Sequence, residues 1–85
     1  MTSKPTIRNQ FYGPVAAAMT VGISLRQLYY WVDVLRVVTP RDQQHGQRIF
    51  RRFSVEDVAR LKRVKRFLEQ GYTLRAAVGL AKRRR

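Results

Sequence analysis

VAAAMTVGISLRQLYYWVDVL, residues 15–35, reads as a short helix, a glycine turn and a second helix that starts at Ser24. Ser24 followed by Gln27 fits a capping box, in which the serine oxygen accepts the amide of the third helical residue and the glutamine reaches back. Gly22 falls at the turn, where a positive φ brings glycine no side-chain clash. Past the cap, Leu25, Leu28, Val32 and Leu35 recur at i, i+3, i+7 and i+10 and predict one apolar face. At about 100° per residue, Arg26, Tyr29, Tyr30 and Asp33 fall on the other side. Trp31, at the edge of the apolar face, is assigned to the core. A helix-turn-helix whose second helix presents arginine and tyrosine outward has the shape that enters a DNA major groove.

Upstream, Tyr12-Gly13-Pro14 punctuates the start of the first helix, and Pro14 suits its first turn. Val15, Ala18 and Met19 follow at helical spacing, and Ala16, Ala17 and Ala18 are small enough to let a second helix pack closely. Residues 1–11 carry Lys4 and Arg8 without an apolar period and are expected to form a flexible basic arm. Downstream, Arg36-Val37-Val38-Thr39-Pro40 predicts a brief extended segment. A polar loop, Arg41 to Gln47 with His45 and Gly46, follows it and leads into a second extended segment, Arg48 to Phe53. The result is a β-hairpin with four arginines, Arg41, Arg48, Arg51 and Arg52, interleaved with Phe50 and Phe53. Such a ribbon is expected to contact phosphates.

Ser54 is placed to cap a third helix, with Glu56 and Asp57 in its first turn, where carboxylates suit the helix dipole. Val55, Val58, Leu61, Val64 and Leu68 form its apolar stripe, extended by Phe67. Arg60, Lys62, Arg63, Lys65 and Arg66 lie on its other faces, mostly as a solvated surface. Gly71 ends the helix, and Thr73 is placed to cap a fourth, whose apolar side is Leu74, Ala77, Val78 and Ala81. The expected fold is mainly α with a small β-hairpin, a winged helix-turn-helix of about four helices. The ordered domain is set at residues 12–82, and residues 83–85 form a basic tail.

Charge narrows the function. Eighteen Lys and Arg against five Asp and Glu give a net +13 and a pI near 11.6. Self-repulsion at that charge opposes a compact state, so a polyanionic partner is the economical explanation. With no cysteine, disulfides, thiolate metal sites and thiol catalysis are excluded. The one histidine, His45, sits beside Gly46 and reads as a turn residue. No glycine-rich phosphate loop, metal-spaced His/Asp/Glu cluster or Ser-His-Asp set is present. The expectation is a protein that is no enzyme and needs no cofactor or metal. No apolar run approaches the roughly 20 residues of a membrane span, and the start MTSKPTIRNQ lacks a signal-peptide core. A cytoplasmic protein associated with the nucleoid, not with membrane, is expected.

The order Gly22-Ile23-Ser24, Arg26, Leu28, Tyr30-Trp31, Pro40, Arg52-Phe53-Ser54, Asp57-Val58, Leu61 and Gly71 resembles the MerR-type winged-helix domain over residues 12–80. In that family the second helix enters the major groove, the wing lies along backbone or minor groove, and dimers bind palindromic promoters. The resemblance implies that Ser24 and Arg26 face the groove, that Tyr30 contacts phosphate, and that Arg41 and Arg52 occupy basic wing positions. Position 29 is Tyr where the family often has Arg. The chain ends just after the fourth helix, where such regulators continue into a dimerisation helix and effector domain. The expectation is therefore a MerR-like regulator without an effector domain, binding specific double-stranded DNA sequences. Its DNA-binding residues are Ser24, Arg26, Gln27, Tyr29, Tyr30, Arg41, Arg48, Arg51 and Arg52. The alternative is an excisionase-like or architectural DNA-binding factor. A small RNA-binding protein would share the charge but needs an aromatic stacking sheet that the sequence lacks. No heptad segment supplies a dimer; a homodimer and a cooperative array on DNA are both compatible with the sequence.

Overall fold

A computed structural model describes residues 11–46 and 48–83, with side chains except at 43–45 and 48–50. Its elements run β1 (Phe11–Tyr12), α1 (Pro14–Val21), α2 (Leu25–Tyr29), a π-helical segment (Tyr30–Val34) continuing α2, β2 (Arg41–His45), β3 (Arg48–Ser54), α3 (Val55–Glu69) and α4 (Leu74–Lys82). This is the expected mainly α winged helix-turn-helix. The arm at residues 1–10, Gln47 and the tail residues Arg84 and Arg85 lie outside the described residues.

Pro14 begins α1 as expected, and Gly22 ends it at φ 89°, its amide donating to the Ala18 carbonyl at 2.8 Å. The inner face of α1 differs from the expectation. Ala17, Ala18 and Val21 are buried, whereas Val15 and Met19 are 59% and 75% exposed. Both faces have helical spacing, and the alanines win because α1 approaches its neighbours closely. Gly22 is the tight point of the turn: an added Cβ would lie 3.1 Å from Lys65 Nζ. That ammonium can swing aside, so the cost of Gly22→Ala is the left-handed backbone, about 1–2 kcal/mol. Urea unfolding of the variant is expected to show that loss with an unchanged m-value.

Both halves of the Ser24–Gln27 capping box form, each at 3.0 Å. The helix beyond it departs from the regular period. Leu35 N–H donates to the Tyr30 carbonyl at 3.1 Å, a five-residue step, and Val37 N–H to the Trp31 carbonyl at 3.0 Å. Arg36 closes the segment at φ 53°. The even stripe through residues 25, 28, 32 and 35 is thereby corrected. Leu28, Trp31 and Val32 are buried, Leu35 is half-buried against the core, and Leu25 is 37% exposed at the start of the helix. Trp31 belongs wholly to the core.

The hairpin is also shifted relative to its expected position. Residues 36–40 are irregular, with Val37 and Val38 buried, while the supposed loop forms β2. β2 and β3 are antiparallel, pairing Arg41 with Arg52 and His45 with Arg48, so the pairing runs on to His45 and the reversal comes directly after it. Gly46 supplies its positive φ of 62°. His45 is therefore a strand residue. β1 adds a third strand through Phe11 opposite Ser54 and Tyr12 opposite Phe53, which gives the order β1-β3-β2. Phe11, read as part of the arm, lies in this sheet.

Ser54 caps α3 with a reciprocal pair to Asp57, both bonds 3.0 Å, and Thr73 caps α4 through the Ala76 amide at 3.2 Å. The expected stripes hold in their middle: Val58, Leu61 and Val64 of α3 and Ala77, Val78 and Ala81 of α4 are buried, Phe67, Leu68 and Leu74 are half-buried against the core, and Val55 at the start of α3 lies outside it. Gly71 takes φ 101° between the two helices. Phe53, fully buried, carries the sheet into this core and fixes where the ribbon leaves it.

Candidate nucleic-acid interface

The face of α2 opposite Leu28 and Trp31 is open. Arg26 and Gln27 are exposed, and Tyr29 and Tyr30 are 38% and 47% exposed. Two of the expected DNA-binding residues, Ser24 and Gln27, spend part of their chemistry on the cap. Ser24 Oγ accepts from Gln27 N–H, and Gln27 Oε1 accepts from Ser24 N–H. A glutamine reads adenine by using its oxygen and its amide nitrogen together. With Oε1 engaged, the Gln27 amide and the Ser24 hydroxyl proton are left as donors, the complement of a phosphate oxygen. Arg26 keeps a full guanidinium fork for a guanine edge.

β3 emerges beside this face. Period-two alternation places Arg51 on the same side as the buried Phe53, and Arg52 on the opposite side beside its cross-strand partner Arg41. Arg51 Nη2 lies 2.8 Å from Asp33 Oδ1, and its guanidinium sits 5.6 Å from the centre of the Tyr29 ring. Arg52 instead stacks over Phe11 at 5.6 Å, which makes β1 a support for the outer side of the ribbon. Arg41 is exposed. The backbone of Arg48 pairs with His45 at the ribbon's tip, and its side chain and that of Phe50 lie outside the described residues. Residues 26, 29, 30 and 51 thus gather around one helix face, and 41 and 52 lie across the ribbon from them.

This arrangement of turn, outward helix, basic ribbon and two supporting helices coincides with a family match. The sequence profile of the MerR HTH family of regulatory proteins matches residues 14–83. The chain belongs to the MerR family. As a MerR-family protein it is a DNA-binding transcription regulator. No curated protein matches the chain. The family match begins at Pro14, so the β1 support at Phe11 and Tyr12 precedes it. Among the described residues, no helix is long and apolar enough to cross a membrane.

Two residues that touch the arginines of the candidate interface are not picked out by the sequence. The helical period places Asp33 only on the side opposite the apolar face, and Phe11 reads only as part of an arm, yet Asp33 pairs with Arg51 and the Phe11 ring lies under Arg52. The signal for the first was present: Phe53 in the core turns Arg51 towards α2. The signal for the second was too short, because a two-residue strand has no readable period.

Proposed function

We propose that this MerR-family protein reads specific double-stranded DNA sequences, with α2 in the major groove and the β2–β3 ribbon along the flanking backbone. The observation that supports it best is the division of α2 between a buried side, Leu28 and Trp31, and an open side carrying Arg26, Tyr29 and Tyr30. On this reading Arg26 touches base edges, with Tyr29 beside it. Tyr30, Ser24, Gln27, Arg41, Arg48 and Arg52 hold phosphate or sugar, and positioning contacts of this kind carry no sequence information themselves. Gln27 is assigned to the backbone and not to a base edge, since its side-chain acceptor is tied to the cap.

Selection of bound sites from a random duplex pool tests the proposal. A recurring motif is expected, and its symmetry and spacing report whether one copy, a homodimer or an array occupies the site. A mobility-shift ladder that grows with protein concentration, without a recurring motif, would indicate a DNA-coating architectural factor instead. Preference for structured RNA in competition would remove the duplex reading. If about six to eight phosphates are neutralised, log K is expected to fall with log salt at a slope of about −5 to −7. Fluorescence anisotropy across a salt series measures it, and a slope near zero would show that the charge of +13 is not used in binding.

A further inference from the structure

Arg51 was grouped by sequence with the phosphate-holding arginines, but its surroundings are unlike those of a phosphate ligand. One terminal nitrogen, Nη2, is committed to Asp33 at 2.8 Å. The other, Nη1, is buried and has no hydrogen-bond partner within the described residues. The guanidinium carbon lies over the Tyr29 ring, 5.6 Å from its centre. Around it is a small cleft of about 210 Å³ between α2 and the ribbon, lined in part by Val32, Asp33, Val38, Pro40 and Asp42. A phosphate could reach Nη1 only by breaking this packing, and Nη2 only beside the Asp33 carboxylate that already holds it.

We propose that Arg51 is a positioning residue that locks the ribbon to the recognition helix through Asp33 and Tyr29. The inference rests on the DNA-binding reading above and deepens it. Three physical consequences follow from the contacts. The ion pair joins the π-helical segment to the middle of β3, so helix and ribbon meet a duplex as one body at a fixed angle. The guanidinium covers one face of Tyr29 and restricts its side-chain rotation on the groove-facing side. Arg51 also neutralises Asp33, a half-exposed carboxylate that would otherwise repel phosphates next to α2. An arginine at position 29 would set two like charges side by side here, so the tyrosine and Arg51 belong together.

Simple charge counting and positioning give opposite expectations for Asp33→Asn. Removing a negative charge next to a polyanion should tighten binding to every duplex. Loss of a positioning pair should weaken binding to the selected sequence by about 3- to 10-fold, leave scrambled duplex within about twofold, and leave the salt slope unchanged. Arg51→Gln is expected to behave like Asp33→Asn, the double variant to add little, and Arg51→Lys to recover part of the loss. A phosphate contact would instead lower the salt slope by about 0.9 when removed. The full chain is titrated with selected and scrambled duplexes across a salt series. Tighter binding by Asp33→Asn, or a slope change near 0.9 for Arg51→Gln, would overturn the proposal. Failure of the unmodified chain to bind any duplex would sink the functional reading alone. The lock is then judged on the free protein by a urea double-mutant cycle, where about threefold coupling in the folding constant is expected. Additive effects of the two substitutions in that cycle would refute it.

Discussion

Trp31→Ala is expected to cost about 3–5 kcal/mol of folding stability, the usual range for deleting a fully buried large aromatic side chain. Trp31 is 2% exposed and lies between Leu28 and Val32 at the start of the π-helical segment. Its carbonyl accepts the Val37 amide at 3.0 Å, so the same residue ends the helix and fills the core below it. Trp31 belongs to a buried cluster that draws on α1, β3, α3 and α4, so filling the void left by alanine would need several elements to move. Ordinary domains hold only about 5–15 kcal/mol in total. For a chain of this size each kcal/mol moves Tm by about 4–8 °C, so a fall of at least about 12 °C is expected by circular dichroism. Tyr30→Ala is the matched control. The neighbouring ring is 47% exposed, and its removal should leave stability within about 1 kcal/mol.

Arg26→Ala is expected to have the largest effect on recognition while sparing the fold. Arg26 is exposed on the open side of α2, within the first turn after the Ser24 cap. A bidentate arginine–guanine pair contributes about 1–3 kcal/mol of discrimination, or about 5- to 150-fold in the ratio of selected to scrambled affinity. The loss should appear on the selected duplex and be small on the scrambled one. Arg75→Ala removes the same charge from α4, where the side chain is exposed but far from α2 in the chain order. It should lower both affinities slightly and alike. Equal losses on both duplexes from Arg26→Ala would remove direct readout from the account.

Much of this could be read from the residues because the strongest local signals act over three or four positions. Ser24 with Gln27, Ser54 with Asp57, and Gly22 and Gly71 each satisfy or end a helix using neighbours in the chain. The apolar stripes of α3 and α4 were legible for the same reason. What failed depended on distant partners or on weak patterning. β2, with the sequence RDQQH, carries no apolar alternation because a ribbon that projects from the core needs none. The π-helical segment shifts the phase of α2 by a hydrogen-bond step that leaves no mark on composition. α1 offered two helical faces, and only the close contact of Ala17 and Ala18 chooses between them. In the site, the exposure of Arg26, Tyr29 and Tyr30 followed from helical period, while the separation of Arg51 from Arg52 needed the register of β3.

The most direct test of the central claim is amide chemical-shift mapping as a selected duplex is titrated into the protein. Shifts are expected along Ser24 to Tyr30 and on the ribbon at Arg41 and Arg52, with the outer surfaces of α3 and α4 around Glu56, Arg63 and Ala76 unchanged. Shifts confined to α3 and α4, with α2 silent, would contradict the account.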